Sequence, residues 1–175
     1  WTAGIGSTLR WKNLSFGFLI DVRYGGDVYL QSMMRLQSNG QTKETVAGRE
    51  EYYTTGKGLI SQGVNVNTGL PNTVELDPTT YWGQFYGNIG NYIYDTTNVR
   101  LRELNLTWTL PDKWFAKTII RGLKLSAVAN NVCFLYNNLP GFDPECTYST
   151  GNGQGIETAS LPSTRSFGFN LNVTF

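Results

Sequence analysis

Leu14-Ser-Phe-Gly-Phe-Leu-Ile-Asp-Val-Arg23 decides the fold. Leu14, Phe16, Phe18, Ile20 and Val22 fall on one phase, and Ser15, Gly17, Asp21 and Arg23 on the other. This predicts a strand with one greasy face, longer than the about five or six residues of an ordinary strand. Upstream, Ala3, Ile5, Leu9 and Trp11 alternate with Gly4, Gly6, Thr8 and Arg10. Only Lys12-Asn13 separates the two runs, so a tight hairpin joins them.

The pattern recurs downstream. Val99 and Leu101 share one phase while Leu104, Leu106, Trp108 and Leu110 share the next. One extra residue near Arg102-Glu103, a β-bulge, brings all six to one face. Leu123, Leu125, Ala127 and Ala129 oppose Lys124, Ser126 and Asn130, and Phe167, Phe169, Leu171, Val173 and Phe175 alternate with Ser166, Gly168, Asn170, Asn172 and Thr174. Five strands are therefore expected, at about 1–11, 14–23, 92–110, 123–134 and 165–175. All six prolines fall outside them, as a residue without an N–H requires. The connections alternate short and long: turns at 12–13 and 111–122, loops at 24–91 and 136–163.

Composition agrees. The 175 residues are 15% charged and 14% aromatic, with 20 Thr, 20 Gly and 16 Asn, a mixture that favours strands and turns over helices. Net charge is +1, with no basic cluster to meet a phosphate backbone, so nucleic acid is not an expected partner. The absence of His removes Ser-His and Cys-His nucleophile pairs and most zinc sites. No cofactor or metal is expected. Cys133 and Cys146 suit either a bridge or two thiols, the bridge slightly favoured. No apolar run is long enough for a membrane-spanning helix, and the opening Trp1-Thr2-Ala3-Gly4 reads as the interior of a longer chain.

Alternation alone fits both a β-sandwich and a membrane barrel. Sandwich strands are short, with similar connections at both ends, whereas outer-membrane barrels have long strands, short periplasmic turns, long outer loops and aromatic girdles. Here Trp11, Trp108, Trp114, Phe115 and Phe175 gather at the short-turn end, and Tyr24, Tyr92, Tyr94, Phe134 and Phe167 at the long-loop end. Arg10, Asp21, Arg23, Arg100, Arg102 and Lys124 all avoid the apolar phase, as charges lining a polar lumen would; Arg165 alone breaks it, at the loop end. Five strands cannot close a membrane barrel, so the chain is expected to be an all-β, antiparallel piece of a larger one.

Several segments together resemble the carboxy-terminal end of SusC/RagA-type TonB-dependent transporters: Ile20-Asp21-Val22-Arg23-Tyr24-Gly25-Gly26, Gly48-Arg49-Glu50, Tyr92-Ile93-Tyr94-Asp95, Asn98 to Leu104, Leu110-Pro111, Asn130-Asn131, Gly141-Phe142-Asp143-Pro144-Glu145, Pro162 to Phe167 and Leu171 to Phe175. The resemblance implies a 22-stranded outer-membrane barrel plugged by an N-terminal domain. It further implies import of glycan or peptide fragments, energised through the TonB complex, with a SusD-like surface lipoprotein outside. The plug and the TonB-contacting segment would precede Trp1.

Candidate functional residues fall in three groups. Asp21, Arg23, Arg100, Arg102 and Glu103 lie on or near the lumen phase, and either pair with one another or contact the plug. Tyr52, Tyr53, Tyr81, Trp82, Phe85 and Tyr86 in the first long loop suit sugar stacking, a capping partner or internal packing. Phe167, Phe169, Leu171, Val173 and Phe175 resemble the terminal signal read by the barrel-assembly machinery. Asp143 and Glu145 lack a full oxygen-ligand loop, which leaves turn chemistry as their expected role. Val28, Met33, Met34 and Leu36 before Asn39-Gly40 suggest one short helix. The alternative to a transporter is a soluble or cell-surface β-sandwich binding carbohydrate through Tyr81-Trp82. A carboxylate-pair glycosidase drawing on Glu50, Glu51, Asp143 or Glu145 has no spacing in its favour.

Overall fold

The computed structural model describes residues 1–146 and 151–175. In chain order its elements are β1 (Thr2–Trp11), β2 (Leu14–Arg23), β3 (Asp27–Leu30), α1 (Gln31–Ser38), α2 (Arg49–Thr55), β4 (Leu59–Ile60), β5 (Glu75–Leu76), α3 (Pro78–Gly83), β6 (Ile93–Asp95), β7 (Asn98–Thr109), β8 (Gly122–Asn137), β9 (Ile156–Glu157) and β10 (Ser166–Thr174). They form two units, described in turn.

The first unit, residues 1–27, 95–146 and 161–175, is built on one antiparallel sheet in the order β1-β2-β7-β8-β10. The hairpin between β1 and β2 turns on Lys12, whose backbone takes the left-handed conformation (φ 50°). Register carries the alternation across every strand: Leu9, Phe16, Leu106, Ala127 and Phe169 form one row, and Arg10, Ser15, Thr107, Ser126 and Asn170 the next. The apolar rows stay uncovered. Ile5 is 59% exposed and Phe169 86%. A sandwich would bury such rows against a second sheet, so the sandwich alternative fails on this face.

Pairing between β2 and β7 steps from Leu19–Glu103 to Ile20–Leu101, leaving Arg102 as the extra residue of a bulge. Across β7 and β8 the same step runs from Glu103–Asn130 to Leu101–Cys133, with Asn131 left-handed at φ 51°. Phe134 pairs with Arg100 on the polar side, so it does not serve in the ring belt to which its position near the loop end assigns it.

A single strand over 92–110 does not form. Asp95 ends β6 because its carboxylate accepts the Thr97 N–H at 2.8 Å, while the Thr96 N–H turns to the Gly26 carbonyl at 2.7 Å. Local side-chain acceptors here outcompete the ladder, and β7 starts only at Asn98. At the other end β8 runs on to Asn137, past the expected 134. Cys133 and Cys146 are not bridged; the Cys146 thiol donates to the Leu161 carbonyl at 3.0 Å.

The second unit comprises residues 28–94 with 151–160 of the second long connection. Its interior is apolar: Val28, Leu30, Met34 and Tyr92 are buried. Tyr92 is therefore a core residue and not a belt ring; its hydroxyl donates to Gln37 Oε1 at 2.6 Å. The expected helix is α1, which begins at Gln31 with Val28 left in β3 and stops at Asn39, followed by Gly40 at φ 73°. Strand β3 pairs in parallel with β9, and the buried Glu157 carboxylate accepts from the Ser32 hydroxyl at 2.9 Å and the Ser160 N–H at 3.1 Å.

Candidate functional site

The charged residues of the first unit converge at the bulge. Arg100 points to the polar side of β7 and Arg102 bulges beside it. Arg100 Nη2 donates to Asp143 Oδ1 at 2.7 Å, and its Nη1 to Glu145 Oε2 at 2.9 Å and to the Ser163 hydroxyl at 2.7 Å. Its guanidinium lies 4.0 Å from the centre of the Phe134 ring, a cation–π contact. Arg102 donates to Asp21 at 2.6 Å, to Asn131 at 2.8 Å and to both oxygens of Glu145. Two guanidinium groups thus meet three carboxylates, and the Arg100 side chain is only 3% exposed.

Asp143 is shaped by its own turn. Its Oδ1 accepts the Glu145 N–H at 3.0 Å, and its Oδ2 accepts the Ser163 N–H at 3.0 Å and the Ser163 hydroxyl. Burial pushes the Asp143 carboxyl up, but Arg100, Ser163 and the two backbone donors outweigh it and hold the group below the ordinary carboxylate range. The cluster pins residues 143–145 and 163 to the polar face of the sheet. Beside it lies a cavity of about 510 Å³ lined by Arg100, Phe134, Asn137, Phe142 and Arg165.

The candidates named by sequence separate accordingly. Asp21, Arg100 and Arg102 share this cluster. Glu103 sits on the polar face opposite Leu19 and Asn130, and Arg23 is exposed; among the described residues neither forms an ion pair. Asp143 and Glu145 do adopt the expected turn, yet they also supply the counter-charges that sequence reasoning left unassigned. In the second unit Tyr52 and Tyr53 meet edge to face at 5.6 Å, and Tyr81, Trp82 and Phe85 form a ring cluster with centroids 5.1–5.7 Å apart, while Tyr86 stands 59% exposed outside it. Phe167, Phe169, Leu171 and Val173 follow the apolar phase of β10, which among the described residues borders only β8, and Phe175 lies one residue past its end.

Among the described residues no group of three or more Cys, Asp or Glu is placed to hold a metal. Among the described residues no helix is long and apolar enough to cross a membrane, which says nothing of strands.

No protein-family model matches the sequence. Two curated relatives from Formosa agariphila, TonB-dependent receptor P3 and TonB-dependent receptor P26, align with 99% and 98% of this chain at 26% and 24% identity. The chain spans 16% of the length of each. Among solved structures, the RagAB peptide importer is similar in its closed-closed and open-open states, with TM-scores of 0.68 and 0.63, 19% identity, 99% of this chain covered and 17% of the matched chain. The resemblance read from the sequence holds along its length, and the likeness to RagAB extends to the antiparallel fold.

Proposed function

We propose that this chain, similar throughout to TonB-dependent receptors, forms the carboxy-terminal arc of the barrel of an outer-membrane nutrient importer. One observation carries the reading: a continuous apolar band on one face of long strands, exposed along Ile5, Leu9, Phe16, Leu106, Leu125 and Phe169, with every strand charge on the opposite face. Hydrocarbon is the solvent that makes such a band favourable and forbids charge on it. The turns at 12–13 and 111–122 then lie on the periplasmic side, and the loops at 24–91 and 136–163 outside.

The activity is binding and gated passage of glycan or peptide fragments, with no bond made or broken in the cargo. Energy comes through TonB, contacted by a preceding part of the polypeptide. A SusD-like lipoprotein is the outer partner, and the first long loop with Tyr53 and Tyr86 is a surface open to it. Asp21, Arg100 and Arg102 act chiefly on one another and on residues 143–145, which leaves Arg23 and Glu103 as the charges available to a plug.

The test is made on the full-length gene. The product is expected in the outer-membrane fraction, soluble only in detergent, and its deletion to abolish growth on one class of oligomeric nutrient. Removing Phe175 should lower insertion. A product that stays soluble without detergent refutes the proposal.

A further inference from the structure

In the second unit, the ends of three helices surround a cavity of about 350 Å³. Helix α1 stops there at Ser38-Asn39. Arg49 and Tyr53, one turn apart on α2, share a side, as do Thr79 and Trp82 three residues apart on α3. Arg49 is held in place by its Nη2, which donates to the Gly40 carbonyl at 2.8 Å and to the buried Thr45 hydroxyl at 3.1 Å. Both acceptors are neutral, both bonds leave from one nitrogen, and among the described residues no carboxylate lies within 4 Å of this guanidinium. None of the lining residues is acidic.

A pre-positioned guanidinium without a counter-charge, beside two aromatic rings, has the donors and the apolar walls of an organic-anion site. We propose that this cavity binds a small carboxylate. Its anionic group sits against Arg49 and its carbon skeleton against Tyr53 and Trp82, with Ser38, Asn39 and Thr79 as further polar contacts. The volume is at the low end of the roughly 300–1,000 Å³ of small-molecule sites, so the ligand is about one sugar or amino-acid residue in size. A clamp joining Gly40 to α2 would account for Nη2, but not for the uncharged surroundings of the rest of the guanidinium.

The assignment rests on the importer reading for its purpose, while binding is measured without transport. The full-length wild-type protein in detergent is treated with an arginine-selective dicarbonyl, and modification of Arg49 is followed by peptide mass spectrometry in the presence of galacturonate, N-acetylalanine or galactose. The expected result is protection by one or both acids, saturating with concentration, and none by galactose. Protection by galacturonate alone identifies an acidic glycan, and protection by N-acetylalanine alone a peptide carboxyl terminus. Equal modification under all conditions, or equal protection by galactose, overturns the site. Either outcome leaves outer-membrane fractionation unchanged, so failure here is distinct from failure of the importer reading.

Discussion

The two units of this chain dispose their apolar side chains in opposite ways. The second keeps Leu30, Met34 and Tyr92 inside, as any water-facing structure does, whereas the first turns Phe16, Leu106 and Phe169 outward and buries Arg100. The buried charges of the first unit, Arg100 and Asp143, are paired with each other, while the buried Glu157 carboxylate of the second is held by hydroxyls and N–H groups. A sheet whose outside is apolar puts its specificity into polar contacts on its other face. Removing the polar centre of one unit and the apolar centre of the other should therefore do comparable harm.

The largest effect is expected there. Arg100→Met leaves Asp143 buried without its guanidinium, a loss of about 3–5 kcal/mol for a broken buried pair; Leu30→Ala opens a cavity in the second unit at about 2–5 kcal/mol. Hydrogen exchange on the full-length protein in detergent should speed up around residues 143–145 and 163 in the first variant, and around α1 in the second. A silent Arg100→Met would break the comparison, because the first unit would then owe nothing to its polar network.

Next comes the outer face. Leu104 and Asn105 are neighbours on β7 with opposite phases. Leu104→Arg is expected to cost about 2–4 kcal/mol if it reaches the bilayer midplane, and Asn105→Arg far less. Denaturant unfolding in lipid vesicles measures both. Equal costs would mean that both faces meet the same medium.

Acid gives a smaller, reversible version of the Arg100 variant. The Asp143 carboxyl is held below its ordinary range, so its contribution is complete above about pH 5 and declines as pH falls through and below about pH 4. Exchange at residues 143–145 should rise in that window. Asp143→Asn should already be raised at neutral pH and should respond less to acid.

Most of the sheet was legible because strand phase is a local property. Parity of apolar residues located β1, β2 and β10, and a change of parity at Arg102 revealed the bulge. What parity cannot reveal is which side chains from distant segments meet. Asp143 and Glu145 lie more than forty positions from the arginines they neutralise, and sequence identified only their turn. The Ile93–Asp95 break was hidden for a different reason: Asp95 captures the Thr97 N–H with a side chain, an event that hydrophobic pattern does not register. Tyr92 was misplaced because a ring near a loop end suits a membrane belt as well as a loop core, and only its burial and its partner Gln37 distinguish the two.

That partner supplies the smallest test. Tyr92→Phe keeps the buried ring and removes one hydroxyl bond to Gln37, a loss of about 0.5–1.5 kcal/mol at neutral pH. The sign of this difference should change little with acid but shrink with alkali. Burial raises the Tyr92 hydroxyl above its ordinary value, so its protonated, hydrogen-bonded form contributes fully below about pH 10 and is lost as pH climbs through the raised value. Phe has no proton to lose. Wild type and variant should therefore converge in exchange rate around α1 as pH passes about 10, while residues 143–145 stay indifferent to the substitution. Convergence on the alkaline side for one unit and release on the acid side for the other would express, in a single pH series, that the apolar core around Tyr92 holds α1 in the second unit and a network of charges holds residues 143–145 in the first.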